Sequence, residues 1–296
     1  MVQWFLESKY MRDSYLKLLR AYEKNLKVRN YKSQKTYCST VKDFLEFQER
    51  RAKRGVKFNQ ADMIAYYEHL TTRNNYRRSG ALAPNTINHH LFAVRLLFDF
   101  MLAADYADAL PVVSKFRINQ RVDMAILSVE QIKELYEVCE NELEIAVLST
   151  AYGAGLRRAE IHQLNITDVR LRDATLIVQQ GKNSKRREVP LSDKVVKDLK
   201  DYLHNYRTLK SKDRQAFFVN KKGTRMSGNT LNQVVKRIAE RSGLQTEISL
   251  HTFRRCIATH LAENGAGIYF IQEFLGHSLI DTSHLYAIKR KRNTRL

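Results

Sequence analysis

Along the first third of the chain, apolar positions recur at helical spacing. Tyr37, Val41, Phe44 and Leu45 share one face of a 3.6-residue repeat that Gln48 continues. Ile87, Leu91, Val94, Phe98 and Met101 repeat the pattern behind Pro84, whose ring suits the first turn of a helix. Shorter segments around 10–26 and 59–71 are patterned the same way, so residues 1–113 read as a bundle of four helices. From Leu110 to Ile126 the repeat is lost. Pro111, Ser114, Asn119 and Gln120 interrupt it, which predicts an extended linker over 114–127. Helices resume behind Ser128, an N-cap for 129–140 with Gln131 at the capping-box position. The segment 143–152 is apolar enough to be buried, and Gly153 to Leu156 form a turn into a helix that starts near Arg158. In ATLIVQQGKNSKRREVPL the period shortens to two around Gly181, Asn183 and Ser184, the pattern of a hairpin. Helices follow at 193–206 (Val195, Leu199, Tyr202, Tyr206) and 228–242 (Leu231, Val235, Ile238), another begins near His251, and Leu275-Gly276 marks a helix stop. The fold class is mainly α with a small β-sheet (α+β), an N-terminal helical bundle followed by a mixed α/β domain over 128–296.

Charge turns this fold towards a class of partner. The 296 residues carry 51 Lys and Arg against 31 Asp and Glu, a formal net charge of +20. Dividing the chain near residue 113 leaves both parts basic, which fits a polyanion gripped along the whole chain, with double-stranded DNA or RNA the obvious candidate. In the bundle the candidate phosphate contacts are Lys32, Lys35, Lys42 and Arg95, the loop residues Arg73, Arg77 and Arg78, and Asn88 and His89 on the last helix. Arg117 and Arg121 extend them through the linker, Lys185, Arg186 and Arg187 along the hairpin, and Lys236 and Arg237 along the helix at 228–242. Singly each reads as a solvated helix face; together they make a phosphate-gripping surface. Cys38, Cys139 and Cys256 are far apart and in no metal-ligand spacing, as expected of free thiols in a reducing compartment. With no secretory signal pattern and no apolar run of about 18 residues, a soluble cytoplasmic protein without a membrane segment is expected.

The chemistry concentrates between His251 and Tyr286. His251 and Arg254 lie three residues apart at a helix start, so both project from one turn towards a shared anion. His277 follows the helix stop, and Tyr286 lies nine residues further on. A phosphodiester under attack gathers negative charge on its non-bridging oxygens, and fixed guanidinium and imidazole donors stabilise that charge more than the ground state. A tyrosine hydroxyl can then be the nucleophile, storing the energy of the broken bond as a phosphotyrosine. No metal or other cofactor is required.

His-x-x-Arg at 251–254, Leu-Gly-His at 275–277 and Tyr286 resemble the tyrosine recombinases, the phage-integrase and Xer family. That family also carries an arginine in Gly-Leu-Arg at a helix start, here Gly155-Leu156-Arg157, and a lysine on a hairpin turn, here Lys182. The resemblance selects Tyr286 from 15 tyrosines and Arg157 over Arg158. It implies a SAM-like core-binding bundle, and a catalytic domain in which Arg157 and Arg254 hold the scissile phosphate. His251 and His277 bond that phosphate or shuttle the tyrosine proton, and Lys182 is the acid. Glu160 either orients Arg157 or forms an ordinary i,i+3 pair with it. The resemblance further implies a homo-tetramer on two DNA sites, from protomers that are monomers in solution, performing integration, excision, inversion or resolution. Two alternatives stay open: a type IB topoisomerase, which shares the chemistry, and a catalytically inactive DNA-binding protein of the same fold.

Overall fold

The computed structural model describes residues 11–31, 33–51, 55–75, 80–116, 126–179, 186–210 and 212–276. The chain divides into two compact units, Met1–Val122 and Asp123–Leu296.

Among the described residues of the first unit are four helices: α1 (Asp13–Val28), α2 (Gln34–Arg50), α3 (Gln60–Thr72) and α4 (Pro84–Ala103). Their sequence periodicity translates directly into burial. Tyr15, Leu18, Leu19, Tyr22 and Leu26 line the inner face of α1, and every apolar position read on α2 and α4 except the half-buried Tyr37 is buried. At the centre the Phe44 ring lies 4.9 Å from that of Tyr66, 5.2 Å from Phe58 and 6.0 Å from Phe98. Gln48, the polar member of the α2 face, is fully buried and donates to the Asp62 carbonyl at 3.4 Å. Asn59 and Asp62 start α3 by a reciprocal cap, each side chain accepting from the other's backbone N–H.

In the second unit the described residues form helices and a three-stranded antiparallel sheet of order β1 (Val169–Arg170), β2 (Thr175–Val178), β3 (Arg187–Pro190), with α12 (Ile268–Leu275) packed on β3. The β2–β3 ladder pairs Leu176 with Val189, and its last described rung is Val178–Arg187. Preceding the sheet are α5 (Val129–Glu137), α6 (Glu142–Leu148) and α7 (Arg158–Gln163); following it are α8 (Asp193–Asp201), a short α9 (Thr208–Lys210), α10 (Gly228–Ser242), α11 (Leu250–Glu263) and α12 (Ile268–Leu275). The expected capping box of Ser128 and Gln131 opens α5, which stops at Glu137 rather than near 140. There Arg241 of α10 bonds the Val138 carbonyl at 3.1 Å and pairs with Glu140 and Glu144, drawing the chain out of the helix. The buried segment after α6 widens into a π-turn over Ser149–Gly153. Ser149 anchors it, donating to Asp198 at 2.5 Å and meeting the Tyr136 hydroxyl at 3.0 Å. No helix among the described residues is long and apolar enough to cross a membrane.

Candidate active site

The π-turn delivers the chain to Gly155, whose φ of +60° belongs to the left-handed region. A Cβ there would stand 2.8 Å from Leu275 Cδ2, so both conformation and space call for glycine. Leu156 is then buried and Arg157 arrives immediately before α7. One turn on, Glu160 is 5% exposed and acts as the hub of the site. Its carboxylate accepts from the Arg157 backbone N–H and from Arg157 Nη1, both at 2.8 Å. It also accepts two parallel bonds from Arg187, Nη1 at 3.0 Å and Nη2 at 2.9 Å, and Arg254 Nη1 stands 3.8 Å away. Burial alone would push this carboxyl up in pKa. The Arg187 bonds and charge, the Arg157 amide and the Arg254 charge outweigh it and hold Glu160 below the usual carboxylate value, ionised at neutral pH.

The same three arginines cap the end of α12. Arg187 Nε donates to the Phe274 carbonyl at 3.1 Å, Arg254 Nη2 to the Leu275 carbonyl, and Arg157 Nη2 to the Gly276 carbonyl at 2.9 Å. Arg254 Nη1 also donates to the Gly155 carbonyl at 2.5 Å. These are the carbonyls that a helix leaves without partners at its negative end, so cations are favoured there twice over. Gly276 closes α12 in the left-handed conformation, φ +62°. Three guanidiniums facing one carboxylate leave a surplus of positive charge, and Arg157, with its side chain 25% exposed, brings it towards solvent. An anion with several oxygens fits such a centre.

The expected residues distribute as follows. Arg157, Glu160 and Arg254 come together. His251 lies in the first turn of α11 and is exposed, whereas Arg254 is turned inwards and only 2% exposed, so the two do not project alike as their spacing suggests. The difference comes from the carbonyls of Gly155 and Leu275, which draw the guanidinium into the unit. Desolvation, followed by the charges of Arg254, Arg255 and Arg157, lowers the His251 pKa, so the ring is neutral near pH 7 and able to accept a proton. Lys182, His277 and Tyr286 lie outside the described residues, as do Lys32, Arg77, Arg78, Arg117, Arg121 and Lys185.

Arg187 departs most from expectation. Read from the sequence as a phosphate contact, it has a side chain only 8% exposed and is joined to Glu160, while its neighbour Arg186 is the exposed one. Strand alternation contains the signal: Arg187 shares a face with the buried Val189, and Glu188 points the other way. Lys236 and Arg237 are exposed on α10, as is Lys35 on α2. Lys42 pairs with Glu46 at 3.7 Å.

Asn88 and Arg95 face inwards along α4 to the chain that follows it. Asn88 accepts from the Phe116 N–H at 2.7 Å and donates to its carbonyl at 3.1 Å, while Arg95 donates to the Val113 carbonyl. An extended segment leaves its backbone groups unpaired, and these side chains satisfy some of them. Arg73 Nη2 meets His90 Nε2 at 3.1 Å, and His90 Nδ1 meets the Tyr66 hydroxyl at 3.0 Å. His89 stacks on Tyr37, ring centroids 5.5 Å apart.

The sequence patterns of two known groups match this chain: the phage integrase family over residues 125–293, and the phage integrase N-terminal SAM-like domain over residues 18–108. The chain belongs to the phage integrase family. It is similar to the tyrosine recombinase XerD of Oceanobacillus iheyensis, 28% identical over 263 residues that make up 85% of each chain. It is also similar to the tyrosine recombinase XerC of Vibrio vulnificus, 29% identical over 280 residues, 93% of this chain and 85% of that one. Among solved structures, a lambda integrase dimer bound to a COC′ core site shares the fold with a TM-score of 0.71 at 18% identity, covering 92% of this chain and 94% of that one. A mostly helical phage integrase fold with a SAM-like first domain and a small antiparallel sheet is therefore what the chain adopts.

Proposed function

We propose that the chain is a site-specific DNA recombinase that cuts and rejoins strands through a 3′-phosphotyrosine at Tyr286. The observation carrying this reading is the gathering of Arg157, Arg187 and Arg254 around Glu160, a positive centre built into a phage integrase fold. In the reaction the Tyr286 oxygen attacks phosphorus, the bond from phosphorus to the 5′ oxygen breaks, and the leaving oxygen takes a proton from Lys182. Arg157 and Arg254 stabilise the charge that develops on the non-bridging oxygens. His251, neutral at working pH, accepts the tyrosine proton or bonds the phosphate together with His277. Return of the 5′ hydroxyl of a partner strand reverses the steps, so neither metal nor nucleotide is consumed.

Residues 1–113 serve as the core-binding domain, 114–127 as the linker and 128–296 as the catalytic domain on double-stranded DNA. Four protomers on two sites perform the exchange in the cytoplasm. The test is covalent trapping on nicked suicide duplexes drawn from the DNA flanking the gene. A protein–DNA adduct with the wild-type chain, absent with Tyr286→Phe, is the expected result. Tight site-specific binding with no adduct would replace the enzyme by an inactive binder of the same fold.

A further inference from the structure

We propose that Arg187 is a positioning residue for the strand-cleavage reaction, acting through Glu160 and the end of α12 rather than by contact with DNA; this rests on the recombinase reading above. The geometry of its guanidinium is the argument. Nη1 and Nη2 form a two-pronged clasp on the two oxygens of Glu160, and Nε bonds the Phe274 carbonyl. With its side chain only 8% exposed, it has little surface to offer a phosphate. Gly276 completes the cradle, because a Cβ there would lie 2.9 Å from Arg187 Cδ.

One side chain thus joins three pieces of chain. Arg187 forms the last described rung of the β2–β3 ladder with Val178, and Lys182 lies in the segment between those two residues. Glu160 belongs to α7, which Arg157 immediately precedes, and Gly276 immediately precedes His277. The clasp fixes the relative placement of the strands and helices from which the proposed acid, clamp and histidine extend. It also decides how Arg157 is presented. While Arg187 holds both oxygens, Glu160 meets the Arg157 side chain through Oε1 alone, and Nη2 is directed to Gly276. Without the clasp the carboxylate can swing both oxygens onto Arg157 or take up a proton in its buried position. Either change moves the guanidinium expected to meet the phosphate.

The test compares wild type, Arg187→Gln, Arg187→Lys, Glu160→Gln and the Arg187→Gln/Glu160→Gln double variant. Single-turnover adduct formation on the suicide duplex is followed across pH, and DNA affinity is measured over a salt series. Arg187→Gln is expected to slow adduct formation about ten- to a hundredfold, as loss of an orienting partner does, with affinity and its salt dependence unchanged. The acid limb of its rate profile moves to higher pH, since Glu160 then protonates more readily, and this limb shift is missing when Glu160→Gln is also present. Arg187→Lys, which keeps a charge beside Glu160, recovers part of the rate and carries the comparison if Arg187→Gln does not melt cooperatively. An adduct rate indistinguishable from wild type would overturn the proposal. So would a salt slope shallower by about 0.9, the mark of one lost phosphate contact. Failure of the wild-type chain to form adduct on a duplex that it binds tightly and site-specifically would sink the recombinase reading, and the positioning role with it, before any variant is compared.

Discussion

His90 and Arg254 show what burial does to a residue that looks polar in the sequence. A guanidinium can only donate, so His90 Nε2, facing Arg73, carries a lone pair, and the neutral ring's proton sits on Nδ1 towards Tyr66. Burial, followed by the charges of Arg73, His89 and His69, pushes the His90 pKa down to about 4. The unfolded ring protonates near about 6.5 and the folded one well below, so stability from this group is complete above the unfolded value. It is lost as pH falls through the window towards about 4, a loss on the order of 3 kcal/mol. Histidine ring NMR should show the His90 signal, assigned by its disappearance in His90→Gln, without titration from about pH 8 to about 5. A midpoint near the free value would refute the buried network. For Arg254, replacement by Ala should lower adduct formation by at least two powers of ten, about 3 kcal/mol of transition-state stabilisation. The same change leaves the Gly155 and Leu275 carbonyls without this donor, costing about 1–3 kcal/mol each in stability. Near-wild-type cleavage by Arg254→Ala would remove it from the phosphate site.

At the scale of elements, the turn before α7 and the end of α12 depend on each other. Gly155 and Gly276 are both left-handed, and the first lies against the side chains of Leu275 and Phe274. Gly265 has a comparable φ of +85° with open space around it, which separates strain from contact. Gly265→Ala should cost about 1 kcal/mol from backbone conformation alone. Gly155→Ala should cost clearly more by calorimetry and should also slow cleavage, because it shifts Arg157; equal losses at the two sites would show that the contact with α12 is unimportant. Helix existence was legible wherever a long apolar face recurred, as on α2, α4 and α10, because burying a stripe on a 3.6-residue period is a local requirement. Helix ends were less legible. The end of α5 depends on Arg241, more than a hundred residues away in sequence, and the π-turn at 149–153 depends on Asp198 from α8. The meeting of Arg157 with Glu160 could be read from three-residue spacing, but their sharing with Arg187 required a strand to be laid against a helix.

For the whole molecule the formal charge of +20 is the property with the widest reach. If six or more of its cations meet phosphates, affinity for duplex DNA should fall by about three powers of ten between roughly 50 and 200 mM salt. Filter binding or fluorescence anisotropy over that range would check it, and a shallow slope would assign the basic surface to something other than DNA. Which cations take part is a separate question, which charge alone does not answer. Arg187 and Arg95 look from the sequence like members of an outer gripping surface, yet their guanidiniums bond the protein's own carboxylate and carbonyl groups. The amino-acid sequence by itself determined the helical bundle, the hairpin and the order of the family motifs, and with them membership in the phage integrase family. These rest on periodicity and short spacings, which act over a few neighbouring residues. Only the tertiary structure decided that one buried carboxylate is shared among three arginines, and that the end of α12 is capped by the same three. Such contacts join residues far apart in the chain, and their energies depend on which groups folding removes from water together.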